Sequence, residues 1–288
     1  MNKSKVAAIQ LNGKATWAEN KPVIMRLVSD AAAAGAEVIV LPENLYAMPA
    51  DPHELFALGL PAEEGAQNEP LTWLQSLART LGVWLIAGTL PIRSERSGTG
   101  EGKLWSRSYV IDAQGEIKGK YDKIHLFDVN VPPRRPSQPA SAESYRESDQ
   151  FLHGAELGLV DTPAGRLGMA ICFDLRFPEL FRRLTEEGAD WICLPSAFTE
   201  TTGRAHWEPL LRARAIENQV YMVAAAQVGA HASGRKTFGH SMVVDPWGTV
   251  LANAKTLADC FVMAEIDPEA QAHVRQQFPV LDLRRLSD

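Results

Sequence analysis

Several classes of protein are argued against by what this 288-residue chain has little of. It holds three cysteines, Cys172, Cys193 and Cys260, too few and too scattered for a disulfide framework. None lies in a CxxC pair or at zinc-ligand spacing from histidine, and the seven histidines form no HExxH pattern, so no metal site is expected. No apolar run approaches the ~20 residues a membrane helix needs. The stretch Val6–Leu11, which follows Lys3 and Lys5, is far too short for a signal peptide. Arg134–Arg135 is a short basic cluster among prolines in a chain of net charge -6, whereas a nucleic-acid surface needs clustered Lys and Arg. The expectation is a cytoplasmic protein with neither membrane nor nucleic acid as partner, in a reducing setting where a reactive thiol survives.

Short apolar runs alternate with amphipathic stretches along the chain. Val6–Leu11, Val38–Leu41 and Val83–Leu90 read as strands, residues 21–34 and Leu71–Leu81 as helices stopped by Gly35 and Gly82. Leu104–Ile111 and Ile117–Lys123 flank the turn chemistry of Asp112–Gly115 and read as a hairpin. Residues 129–150 carry four prolines and little apolar periodicity, which predicts an exposed loop or lid. The second half repeats the theme. Leu167–Ile171 is a strand that runs into Cys172, followed by helix Glu179–Glu187, strand Trp191–Leu194, helix Trp207–Glu217 and strand Val220–Ala226. A hairpin over His240–Ala252, strand Phe261–Ile266 and a polar tail complete the chain. Helical crossovers mixed with hairpins imply an α/β protein with mixed sheets. No low-complexity linker divides it, so a single domain over 1–288 is expected.

Three strand ends carry the candidate chemistry. Cys172 sits between an apolar strand and a helix, where free N–H groups lower a thiol's pKa and hold an oxyanion; most non-disulfide cysteines are nonetheless buried and inert. Glu43 ends Val-Ile-Val-Leu-Pro-Glu, and a carboxylate after a buried run opens into a cleft as a general base or forms a cap or salt bridge. Lys123 lies among apolar and aromatic residues, where it holds an oxyanion or pairs with Glu43, although a lone lysine after a strand is usually solvated. His125 alternates with apolar neighbours and reads as a structural hydrogen-bonder rather than the base of a thiol peptidase, while Cys193 and Cys260 read as packing residues. Residues 98–102 are glycine-rich but join no strand to a helix, so they are not a phosphate loop.

Three segments together resemble the nitrilase, or carbon–nitrogen hydrolase, superfamily: Leu41-Pro42-Glu43-Asn44, Tyr121-Asp122-Lys123-Ile124-His125-Leu126, and Ile171-Cys172-Phe173-Asp174-Leu175-Arg176-Phe177-Pro178-Glu179. The likeness extends across nearly the whole chain, through Pro195–Phe198, Ala205–Asn218 and Gly239–Gly248. It implies a four-layer α-β-β-α sandwich, a Glu43–Lys123–Cys172 triad with Glu147 as a second glutamate, and a homodimer with the C-terminal tail (about 268–288) at its interface. No cofactor is implied. Within the superfamily the chain resembles amidases acting on a small amide with a 2-oxo-acid end, either deaminated glutathione or, alternatively, 2-oxoglutaramate. Arg176, Phe198 and Thr202 match positions implicated there in holding the 2-oxo acid, and the backbone N–H of Phe173 would join Lys123 at the oxyanion. The stretch Val131–Ser144 departs from the pattern, being longer and richer in proline. A thiol peptidase pairing Cys172 with His125, and a non-catalytic binding protein on the same scaffold, stay open as readings of the residues.

Overall fold

The computed structural model describes residues 3–51, 54–62, 68–95, 102–131 and 143–286. Its first half runs β1 (Ser4–Leu11), α1 (Trp17–Ala33), β2 (Val38–Val40), α2 (Glu54–Ala57), α3 (Glu69–Leu81) and β3 (Trp84–Ile86). There follow β4 (Leu90–Arg93), β5 (Leu104–Ile111), β6 (Ile117–Asp122), β7 (Asp128–Val131) and β8 (Glu143–Arg146). The second half opens with β9 (Gly158–Thr162), β10 (Gly165–Met169), α4 (Pro178–Glu186), β11 (Trp191–Cys193), α5 (Glu200–Asn218), β12 (Tyr221–Ala224) and β13 (Ala226–Ala230). It ends with β14 (Lys236–Phe238), β15 (Met242–Val244), β16 (Val250–Asn253), β17 (Cys260–Ile266) and α6 (Pro268–Gln277).

Two mixed sheets stack face to face. The first is ordered β14-β13-β1-β2-β3-β5-β4, with β17 beside β1 and β6 beside β5; the second is ordered β16-β15-β12-β11-β10-β9. Strand alternation assigns the faces. Val6, Ala8, Val38 and Val40 point into a core shared with Leu167, Met169, Cys193 and Val223 of the second sheet, while Ile192 and Met222 on that sheet's other face join the same cluster beside Phe181 of α4 and Trp207 of α5. Their neighbours Ala7, Ile9 and Ile39 point the other way, onto Ile24, Leu27 and Val28 of α1 and Leu71 and Leu74 of α3. The layers are therefore helix, sheet, sheet, helix. A strand whose two faces are both buried reads as a continuous apolar run, which is why Val38–Leu41 shows no alternation.

Caps explain where the helices begin. α1 starts at Trp17, upstream of the residue-21 start the periodicity suggests, because Thr16 and Glu19 form a reciprocal capping box. α5 starts at Glu200 rather than Trp207, its Thr199 N-cap accepting from Thr202 N–H. Its first turns are hidden from hydrophobic patterning by polar residues and Gly203, where a Cβ would meet Phe238 Cβ at 2.3 Å.

Three expectations are corrected. Val220–Ala226 is not one strand: the run crosses between sheets at Ala225, β12 pairing β11 and β13 pairing β1. Residues 129–150 are in part regular, since β7 and β8 pair antiparallel and Glu147–Asp149 forms a 3₁₀ turn; the proline-rich 132–142 lies outside the described residues. The end of the chain is not simply a polar tail. α6 docks on its own chain through Gln271, whose Nε2 donates to Asp190 O (2.7 Å) and Gln219 O (2.9 Å).

Candidate active site

The ends of β2, β6 and β10 open into one cavity of about 880 Å³. Glu43, Lys123, Glu147, Cys172, Phe173, Arg176, Phe198 and Thr202 all line it. Glu43, Lys123 and Cys172, far apart in sequence, meet because each follows a strand of the stacked sheets.

Glu43 is buried and held from three sides. Lys123 Nζ donates to its Oε1 (2.7 Å), Ala197 N–H donates to its Oε2 (2.8 Å), and Gln227 Nε2 donates to its main-chain carbonyl (2.9 Å). The bend that swings it off β2 leaves Asn44 at φ 55° and brings Pro42 O against Gly88, where a Cβ would lie only 2.1 Å from that oxygen. Gly88 itself has φ 55°, so only glycine fits on both counts.

Lys123 is 2% exposed and bridges two carboxylates. Its Nζ donates to Glu147 Oε1 (3.0 Å) and Oε2 (2.9 Å) as well as to Glu43. Burial works to lower the pKa of Lys123, but Glu147 and Glu43 outweigh it and hold the group as ammonium. Phe127 N–H fixes Glu147 through Oε2 (2.6 Å). Burial raises the Glu147 carboxyl above the usual range, against the pull of Lys123, with Glu43 adding to the rise.

Cys172 follows β10 at φ 45°, a left-handed conformation that costs a non-glycine residue of order 1–3 kcal/mol and marks a sharp strand-to-turn bend. Its N–H donates to Pro195 O (2.9 Å), and Asp174 N–H donates to Ile171 O (3.0 Å), leaving Phe173 N–H between two engaged neighbours. The expectation of a thiol acidified by a helix end is corrected. Only a five-residue 3₁₀ turn, Cys172–Arg176, begins here, and burial pushes the thiol well up, with Glu43 adding to the rise. Lys123 and the Ala197 N–H oppose the shift without reversing it. The thiol thus rests protonated beside Glu43.

Asp174, fully buried, ties the Cys172 turn to the Lys123 segment. Its Oδ2 accepts from Tyr121 OH (2.7 Å) and Ile171 N–H (2.9 Å); its Oδ1 accepts from the main-chain N–H (3.0 Å) and Nδ1 (2.7 Å) of His125. The His125 ring stacks on Phe177 at 3.7 Å. His125 therefore serves as a structural hydrogen-bonder.

The cavity's far wall is aromatic and cationic. The Arg176 guanidinium lies 5.6 Å from the Phe173 ring centroid and 5.1 Å from that of Phe198, with Nη1 at 3.1 Å from His206 Nδ1. Burial lowers the pKa of Arg176, and burial together with Arg176 lowers that of His206. Thr202 Oγ1 meets Thr199 Oγ1 at 2.8 Å at the start of α5. Sequence reasoning missed Asp174, Gln227 and Arg235 as site residues. Asp174 lay within a quoted motif and was available; Gln227 and Arg235 come from β13 and the turn after it, and no local pattern points from there to the cavity.

A buried thiol beside a carboxylate that an ammonium holds is equipped to attack a carbonyl and protonate a leaving nitrogen. A family model described as carbon-nitrogen hydrolase matches residues 5–276, and the chain belongs to that family of enzymes acting on amide carbon–nitrogen bonds. Among curated relatives, the deaminated glutathione amidase of Yersinia enterocolitica is 38% identical over 99% of this chain and 94% of its own. That of Mus musculus is 39% identical over 97% and 83%. The crystal structure of Saccharomyces cerevisiae Nit3, a member of branch 10 of the nitrilase superfamily, superposes with a TM-score of 0.85 at 29% identity over 99% of this chain and 97% of its own. No helix among the described residues is long and apolar enough to cross a membrane.

Proposed function

We propose that this enzyme hydrolyses the amide of deaminated glutathione to 2-oxoglutarate and cysteinylglycine through a thioester on Cys172. The observation that carries the reading is the joint placement, in one cavity, of the Cys172–Glu43–Lys123 cluster and an Arg176 guanidinium that meets aromatic rings and an imidazole but no carboxylate among the described residues. Because burial keeps the thiol protonated, Glu43 takes its proton as sulfur attacks the amide carbonyl. The Lys123 ammonium and Phe173 N–H face the oxyanion; one such donor is worth about 3 kcal/mol of barrier. Glu43 then returns the proton to the leaving nitrogen, and cysteinylglycine departs. Water, deprotonated by Glu43 and oriented by Glu147, attacks the thioester; the acid leaves and the thiol regains its proton. Arg176 pairs with the 2-oxo-acid carboxylate in the fork geometry suited to it, beside Phe198 and Thr202.

His125 is committed to Asp174 and Phe177, which weighs against a thiol peptidase that would use it as base. A homodimer in a reducing cytoplasm is part of the same reading. Ile216, Trp247 and Phe278 are exposed apolar side chains, the last two in ring contact at 5.8 Å, and all three cysteines are free thiols. The tail over 268–288 would contribute to that interface.

Mass spectrometry of enzyme quenched during turnover of deaminated glutathione should find the acyl group on Cys172, and Cys172→Ala should fold normally yet release no product. An adduct on Cys193, or substantial turnover by Cys172→Ala, overturns the mechanism. A much higher kcat/KM for 2-oxoglutaramate overturns the substrate.

A further inference from the structure

We propose that Arg235 is the specificity residue for the leaving group and binds the terminal carboxylate of the departing dipeptide. This inference rests on the reading of deaminated glutathione as substrate. Arg235 stands on the cavity wall in the turn between β13 and β14. Its Nη2 donates to Ala197 O, and its guanidinium carbon lies 5.5 Å from the Tyr145 ring centroid. Its Nε is buried without a hydrogen-bond partner among the described residues, although buried donors are seldom left so.

The charges around it sharpen the point. Elsewhere Arg107 pairs with Asp122, Arg214 with Glu217 and Arg275 with Asp190. Of the cavity's own carboxylates, Glu43 and Glu147 are held by Lys123 and Glu200 by Arg204, while Asp149 forms no ion pair with Arg235 among the described residues. Arg176 and Arg235 are instead set on aromatic rings and on a ring nitrogen or a carbonyl. Both flank the Ala197–Phe198 segment. A partly buried guanidinium without a carboxylate partner favours an anion that brings its own carboxylate.

Deaminated glutathione carries two such groups, one on the 2-oxo acid and one at the end of the cysteinylglycine. With Arg176 taking the first, Arg235 is the group that takes the second. 2-Oxoglutaramate, whose leaving group is ammonia, has nothing to offer Arg235. The cavity volume of about 880 Å³ is large for so small a molecule, lying near the top of the roughly 300–1,000 Å³ range of small-molecule sites.

The test compares three substrates: deaminated glutathione, its analogue with the terminal carboxylate converted to a carboxamide, and 2-oxoglutaramate. On the parent enzyme the carboxamide should lower kcat/KM by roughly 10- to 100-fold, the loss of one charge-assisted contact. Arg235→Gln, which keeps a donor for Ala197 O, should lose a similar factor on deaminated glutathione, chiefly in KM. It should lose no more on the carboxamide, and the ratio of kcat/KM for deaminated glutathione over 2-oxoglutaramate should fall by the same factor. Equal proportional losses on all three substrates would mean that Arg235 acts only by supporting the Ala197 peptide, and would overturn the assignment. So would a parent enzyme indifferent to the carboxamide, a measurement that needs no variant. A parent that turns over none of the three brings down the proposed function itself, and the assignment with it.

Discussion

The Tyr121 hydroxyl donates to Asp174 Oδ2 across 2.7 Å in the core, linking a residue two positions before Lys123 to one two positions after Cys172. The same carboxylate takes Ile171 N–H and both His125 donors, so the Lys123 segment and the Cys172 turn are held by one buried acceptor. Removing that acceptor strands several buried donors. Asp174→Ala should destabilise the protein by about 3–5 kcal/mol, and Tyr121→Phe by about 1.5–3 kcal/mol, as read from chemical denaturation. Turnover should fall in Tyr121→Phe through kcat rather than KM, because no substrate contact is lost.

Glu43 and Glu147 both bond Lys123, yet the proposed mechanism gives them different roles, and the two glutamine variants should separate them. Glu43→Gln removes the proton carrier and should cost roughly 10²–10⁴-fold in kcat. Glu147→Gln should cost less and act on the pH profile. Because burial raises the Glu147 carboxyl, the acid limb of kcat, which includes the water step, should lie above the ordinary glutamate range, and the variant should flatten it. An unchanged acid limb in Glu147→Gln would remove that carboxyl from the mechanism.

Gly88 touches no substrate, but its position shapes the bend that carries Glu43. A methyl group there meets Pro42 O at 2.1 Å on a residue already at positive φ. Gly88→Ala should lose at least about 2 kcal/mol of stability, through a strained backbone and a forced shift. Activity should drop beyond what the unfolded fraction explains, measured as kcat per folded enzyme at a temperature well below the melting transition.

His231 gives a pH test of the fold itself. It is buried between Gly13 O (3.0 Å from Nδ1) and Thr237 Oγ1 (2.7 Å from Nε2), and burial lowers its pKa. The unfolded chain then binds more protons than the folded one below the ordinary imidazole value near 6.5. Stability should fall as pH drops through that value towards the lowered native one, and level off below it. Melting temperatures between pH 7.5 and 5 should show the decline, with a shallower slope in His231→Gln.

Much of the site was legible before any fold was known. Glu43, Lys123 and Cys172 each follow a strand-like run, and their motifs together resemble one superfamily. Gly82 marked the end of α3 because a left-handed cap (φ 66°) suits glycine. The helix starts at Trp17 and Glu200 were missed because capping side chains, rather than apolar spacing, set them. Arg235 was missed because its approach to Ala197 spans 38 residues and leaves no periodic trace.

By itself the sequence determined the alternation of strands and helices that makes the α/β class, the burial of the central strand run and the chemical identity of the thiol, carboxylates and ammonium. Those follow from local side-chain patterning, which needs no knowledge of distant neighbours. Tertiary structure alone decided that the apolar run 220–226 divides between two sheets, carrying Gln227 to Glu43 and Arg235 to the cavity. It also decided the charge states. Stacking the sheets removes water from Cys172, keeping it a thiol, while two carboxylates meeting at Lys123 keep that buried amine charged. Protonation is set by burial and by charges brought near through the fold, and neither quantity is written in any single segment.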